Sequence, residues 1–217
     1  MPVTYPNESA TYRSARQELL REEIKLRHQV ERVAGLRRTL PTGGSLKEDY
    51  EFKTSGGESK KLSSLISADR DVLAIYSLMY AADAEFPCPM CVSLLDGLTG
   101  QVGQFGQLID FAVVSAACPE QLDQLGKSRG WRDLELLSAQ GTSYQSDYHG
   151  ESPDGAQLPM LNIFRKTPSG ISHFWGSESF FAEIDGQPRH LDQLWPLWNM
   201  LDLTPAGRGT DWYPSLN

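Results

Sequence analysis

The sequence predicts an α/β fold, and three observations carry that prediction. Two continuous apolar, partly β-branched runs, residues 72–78 and 109–115, have the character of strands buried on both faces. Each is followed by a helical stretch that begins at or just after a proline, Pro89 and Pro119, so residues 72–129 form a strand-helix-strand-helix unit. The crossovers are short, which implies parallel pairing with right-handed connections. Two further runs, 159–165 and 171–175, flank Pro168-Ser169-Gly170 and read as a hairpin.

Composition bounds what such a fold can do. The 217 residues can bury one substantial core with an accessory segment, and 40% hydrophobic with 22% charged residues is ordinary for a folded soluble chain. A formal net charge of −8 argues against nucleic acid or anionic membrane as partner, because both attract a basic face. The expected partners are proteins or small molecules. No apolar stretch is long enough to cross a bilayer, and residues 1–7 lack the apolar core of a signal peptide, so cytoplasmic residence is expected.

In chain order, a helix is expected over roughly Ser9 to Leu40, ended by Pro41-Thr42-Gly43-Gly44. Tyr12, Leu19, Leu26 and Val33 recur every seven residues among Arg and Glu, a narrow stripe like a coiled-coil seam. The stripe fits either packing on its own domain or an arm laid across a second subunit. The organisation expected is thus a helical arm over 1–45 and an α/β domain over 46–217, and a homodimer contacted through residues of roughly 9–40 is expected. A strand is expected at Asp49–Phe52, a turn at Ser55-Gly56-Gly57 and a helical turn at 62–66. The helix from Pro89 extends toward Phe105, weakened by Gly97, Gly100 and Gly103. The helix after Pro119 spans 121–129. Residues 138–155, rich in Gly, Ser, Tyr and Asp, read mostly as loop with one short helix. A last helix is expected from His190 to Asp202, with Pro196 kinking it or starting a new turn.

The chemistry is concentrated in Cys88-Pro89-Met90-Cys91, where a buried strand hands over to a helix. A sulfur just ahead of a helix meets unpaired N–H groups and the positive end of the dipole, which favour a thiolate. A second sulfur one turn on is near enough to close a disulfide. A Cys-x-x-Cys beside a strand-helix-strand pattern marks thioredoxin-like redox chemistry. The whole element order is that of the thioredoxin fold, a three-layer sandwich here preceded by the helical arm, so a thioredoxin-like domain is expected over 46–217. Leu158-Pro159 heads the third strand, where that fold carries a cis proline facing the dithiol, so a cis bond is expected there.

The wider sequence resembles a bacterial family. The residues that carry the resemblance are Arg37-Arg38-Thr39-Leu40-Pro41, Lys47 to Phe52, the Cys-Pro-x-Cys segment with Asp96-Gly97, Arg129-Gly130-Trp131, and Leu201 to Arg208. Together they look like the thioredoxin-like family catalogued as domain of unknown function 899, described as predicted dithiol-disulfide oxidoreductases. Two features depart from its pattern: residues 82–87 lack the tryptophan and the glycine-glutamate character expected before the cysteines, and Cys118 stands where no cysteine is expected. The resemblance implies that Cys88 is the nucleophile and that Cys91 resolves the mixed disulfide. Pro89 and Pro159 support them, and the substrate is a protein or small-molecule disulfide. No cofactor is implied beyond the dithiol.

Other readings of the same residues stand beside this one. Asp83 and Glu85 precede the dithiol but read as solvated loop acids, and neither His149 nor His173 is tied to the cysteines by spacing. Cys118 and the dithiol are expected at one sheet edge, although a buried bystander thiol is the plainer reading of Cys118. A zinc site would need Cys88, Cys91, Cys118 and a histidine to converge, without a second knuckle at familiar spacing, so no metal is expected. A thioredoxin-like scaffold that only binds a protein partner is the alternative to an enzyme.

Overall fold

In the computed structural model, which describes residues 3–181, 191–209 and 212–216, the chain forms two units, Met1–Pro41 and Thr42–Asn217. The first unit holds α1 (Ala10–Arg38). Ser9 caps it, its Oγ accepting from the Tyr12 N–H at 3.0 Å, and Arg37 and Arg38 complement the dipole at the other end. Lys25–Glu22 and Arg27–Glu31 pair along its surface at 2.7 and 2.9 Å. None of its residues is buried.

The second unit is built on a seven-stranded sheet. Its strands are β1 (Glu51–Thr54), β2 (Ser59–Lys61), β3 (Val72–Ser77), β4 (Asp110–Ser115), β5 (Glu135–Ser138), β6 (Met160–Thr167) and β7 (Gly170–Gly176). Across the sheet the order is β2-β1-β5-β4-β3-β6-β7. The central strands β3, β4 and β5 are parallel, and β6 returns antiparallel to β3. The helices between them are α2 (Pro89–Thr99), the short α3 (Val102–Phe105) and α4 (Pro119–Arg129). Because β3, β4 and β5 step in one direction, right-handed crossovers put α2 and α4 on the same face.

Period-two alternation then divides the core. Ala74, Tyr76 and Leu78 face a layer made by α2, α4 and the closing helix α6 (Pro196–Asp202), where Leu94, Leu95, Leu122 and Trp198 are buried. Leu73 and Ile75 face the opposite layer, formed by Tyr50, Phe52, Leu62 and Tyr144, the last on α5 (Tyr144–Asp147). A layer on each side of the sheet makes the three-layer, thioredoxin-like sandwich: the dithiol strand lies between a parallel neighbour and an antiparallel hairpin.

Most expected elements appear within two or three residues of their predicted bounds. Two strands, β2 and β5, do not belong to the expected set, and of these β5 is extended only over Glu135–Ser138, too short a run to show alternation. Its place is fixed by pairing instead, parallel to β4 and antiparallel to β1. The helix from Pro89 stops at Thr99 rather than running to Phe105, because Gly100 caps it and the Gln101 N–H turns back to the Leu98 carbonyl at 2.8 Å. Pro196 starts α6 at its first turn rather than kinking a longer helix, with a separate 3₁₀ turn at Asp192–Leu194. His190, where the last helix is expected to begin, lies outside the described residues.

Candidate active site

After β3 the chain makes a loop and returns to its starting edge. Leu78 N–H donates to Val114 O at 2.8 Å, continuing the ladder, and Cys88 N–H donates to Met79 O at 2.9 Å. That second bond places Cys88 beside the carboxyl end of β3 as α2 begins. Cys88 is the N-cap residue, with extended backbone, and Pro89 occupies the first turn, where its missing N–H costs nothing.

The two sulfurs are electrostatically unequal. Cys88 is half-buried and its pKa is lowered to about 6, first by a hydrogen bond from the Cys91 thiol, then by the N–H groups of Cys91 and Met90, against the opposing effect of burial. No close capping bond to the Cys88 sulfur forms, so the backbone acts through field and orientation. Cys91 is 2% exposed, and its pKa is raised by the proton it shares with Cys88 and by burial. The fully buried Tyr76 hydroxyl contacts Cys91 from β3, and burial raises its own pKa. In the sequence Tyr76 is hidden within an apolar run, but its strand parity with Ala74 and Leu78 points it toward α2.

Cys118 is the N-cap of α4, with Pro119 in the first turn, and parallel β3 and β4 bring it to the same sheet edge as Cys88. Gln121 ties this corner together: its Oε1 accepts from the Cys118 N–H at 2.8 Å and its Nε2 donates to Ala84 O at 3.1 Å. The Cys118 thiol donates to the Glu120 carboxylate, and Tyr80 lies beside it. All three cysteines carry free thiols.

Pro159 is buried at the head of β6, placed next to the end of β3 by the register Ser77↔Met160. The expected cis bond is absent, since no described peptide bond is cis and Leu158-Pro159 is trans. The reversal is made earlier. Glu151 bridges Gln157, and the Leu158 N–H donates to Gly150 O at 2.9 Å, so the chain enters β6 already extended. The trans isomer, favoured by about 0.5–1 kcal/mol, then suffices.

Asp83 and Glu85 are both exposed on the loop before the dithiol. His173 packs on Tyr148 and Phe164, on the sheet face opposite α2, and His149 lies near it, so neither reaches the cysteines. Among the described residues no set of three or more His, Cys, Asp or Glu side chains is placed to hold a metal ion, and no helix is long and apolar enough to cross a membrane.

The family model described as "Bacterial protein of unknown function (DUF899)" matches residues 2–217. The chain belongs to that family. No curated protein sequence matches it. Among solved structures, it is similar to an uncharacterized conserved protein from Geobacillus kaustophilus at 13% identity, covering 81% of this chain and 94% of that one with a TM-score of 0.49. It is also similar to the peroxidoxin BcpB of Mycobacterium tuberculosis, at 16% identity over 72% of this chain and 95% of that one, TM-score 0.47. A peroxiredoxin Q from Xanthomonas campestris is similar at 15% identity over 69% of this chain and 89% of that one, TM-score 0.45.

In this DUF899 chain four of the residues that carry the family resemblance, Asp96, Gly97, Arg129 and Trp131, lie on or against the dithiol helix. Asp96 of α2 accepts two bonds from Arg129, one at 3.3 Å, and one from Trp131 Nε1 at 2.8 Å. Arg129 also donates to Leu216 O at 3.3 Å. A β-carbon on Gly97 would lie 3.2 Å from Pro196 Cδ, so the absence of a side chain lets α6 approach α2. Arg208 pairs with Asp202 at 2.6 Å and lies over the Trp198 ring, 5.1 Å from its centre.

Proposed function

We propose that this protein is a thiol–disulfide oxidoreductase working through Cys88 and Cys91. The observation that carries the reading is the inequality of the pair: a half-buried Cys88 with pKa about 6 at a helix N-terminus, and a buried Cys91 one turn on. At neutral pH the Cys88 thiolate attacks one sulfur of a substrate disulfide, forming a mixed disulfide and releasing the other substrate sulfur as a thiolate that takes up a proton. Cys91 then gives up its proton and attacks the Cys88 sulfur, closing the Cys88–Cys91 disulfide and releasing the second substrate thiol. Two electrons pass from the protein dithiol to the substrate, and an external dithiol must restore the pair. Dimerisation through α1 and a place in the cytoplasm belong to the same reading.

The test is turnover of a small aromatic disulfide with dithiothreitol as the final reductant. Cys88→Ser is expected to abolish it, and the double variant Cys91→Ser/Cys118→Ser to accumulate a mixed disulfide at Cys88 visible by mass spectrometry. Cys91 or Cys118 alkylating ahead of Cys88 overturns the assignment. A dithiol that stays oxidised and never turns over supports a binding scaffold instead.

A further inference from the structure

On the sheet face opposite the dithiol lies a cavity of about 920 Å³, within the range that small-molecule ligands occupy. Its wall is formed where the residues after α5 meet β6, β7 and the turn at Glu178–Phe181. Its chemistry is one-sided. Among the described residues, no lysine or arginine lines it, while Asp147, Glu178, His149, His173 and Asn162 do. Asp147 is already neutralised by Lys47 at 2.7 Å, which leaves Glu178 as the carboxylate making no ion pair with a described residue.

The hydrogen-bond network fixes the protonation of His173. Asn162 Nδ2 donates to Tyr148 O at 3.0 Å, so Oδ1 is the atom facing His173 Nε2 at 2.9 Å. A carbonyl oxygen only accepts, so Nε2 carries the hydrogen and the neutral ring leaves Nδ1 as an acceptor. No described residue donates to that nitrogen. Burial lowers the His173 pKa against the opposing charge of Glu178, and so favours the neutral ring. Its orientation is rigid: the ring stacks on Tyr148 at 5.9 Å, and its main-chain N–H is bound by Gly44 O at 2.9 Å.

A second observation concerns His149. It holds φ at +58° directly after α5, a position usually left to glycine or asparagine, and its ring stands edge-on to Phe181 at 5.9 Å. A non-glycine residue in the left-handed region is strained, and such strain is found where a side chain is being aimed. Here it turns an imidazole into the cavity beside His173.

From this geometry we infer that the cavity is a binding site for a small organic amine, taken up as its ammonium. An ammonium offers only donors, and the wall offers the acceptors: Nδ1 of His173 and the Glu178 carboxylate. The aromatic rings of Tyr148 and Phe181 suit the attached carbon skeleton and tolerate positive charge. An organic anion would meet Glu178, with no lysine or arginine among the described lining residues to compensate it.

The experiment follows the ring signals of the four histidines by NMR in the full chain during titration with phenethylamine, 2-phenylethanol and 3-phenylpropionate. Phenethylamine is expected to move the His149 and His173 signals saturably, about tenfold more tightly than the alcohol, and phenylpropionate to leave them unmoved. Glu178 is exposed, so Glu178→Gln leaves the fold intact and should weaken the amine about tenfold while the alcohol is unaffected. Unmoved signals with the amine, equal binding of the carboxylate, or full amine affinity in Glu178→Gln each overturn the proposal. The dithiol takes no part in any readout, so the outcome is independent of the redox reading.

Discussion

Cys88 is tied to Met79 by a main-chain hydrogen bond of 2.9 Å, and this bond brings the dithiol back to the strand edge from which its loop departed. The place of Cys88 is therefore set by backbone, and its acidity by its neighbours on α2.

The reactivity is predicted to titrate. With a pKa near 6, Cys88 is mostly thiol below that pH and mostly thiolate above it, so its alkylation rate should rise about tenfold per pH unit below 6 and level off by about pH 7. Since the bond from Cys91 is the largest cause of the shift, Cys91→Ala should carry the midpoint upward toward that of an ordinary thiol. Iodoacetamide labelling against pH measures both. An unchanged midpoint in Cys91→Ala would show that the helix alone sets it.

Cys118 should become a partner for Cys88 when Cys91 is removed. Both cysteines cap helices at one edge, and Gln121 binds the head of α4 to the loop that leads into Cys88. Peptide mapping of peroxide-treated Cys91→Ser is expected to yield a Cys88–Cys118 link within one chain. If Cys118 stays free throughout, it is a bystander.

Asp96 anchors α2 through Arg129 and Trp131, in a partly buried cluster. Asp96→Asn keeps the shape but loses the charge that holds the guanidinium, and should cost about 1.5–3 kcal/mol of stability. Urea denaturation followed by tryptophan fluorescence reads this as a lower midpoint at unchanged slope. A change within about 0.5 kcal/mol would mean that solvent replaces the charge.

The α1 stripe should hold a second copy of the chain. Tyr12, Leu19 and Leu26 are 49%, 52% and 64% exposed, and covering large apolar side chains contributes about 1.5–3 kcal/mol each when burial is complete. Sedimentation is expected to show a dimer for the native chain and a monomer for Leu19→Glu/Leu26→Glu. A monomeric native chain would refute this.

Legibility in the sequence followed the strength of local pattern. The runs at 72–78 and 109–115 and the heptad of α1 are long enough for periodicity to show, and Pro89 and Pro119 mark helix starts by their fixed φ. The short strand β5 had no such signal and exists because β1 and β4 supply its hydrogen bonds. The same holds for Leu158-Pro159, where the distant pairing of Leu158 with Gly150 decides the path of the chain.

The dithiol and its place ahead of a helix were determined by sequence alone, because a Cys-x-x-Cys between a buried strand and a proline-started helix is a local arrangement. Which groups surround it was decided only by tertiary structure. Tyr76 reaches Cys91 through strand parity, and Asp96 meets Arg129 thirty-three residues away. On the opposite face, the roles of His149 and His173 depend on a cavity assembled from segments far apart in the chain. Spacing fixes contacts within an element, whereas contacts between elements depend on sheet order and crossover hand, which no single stretch of sequence contains.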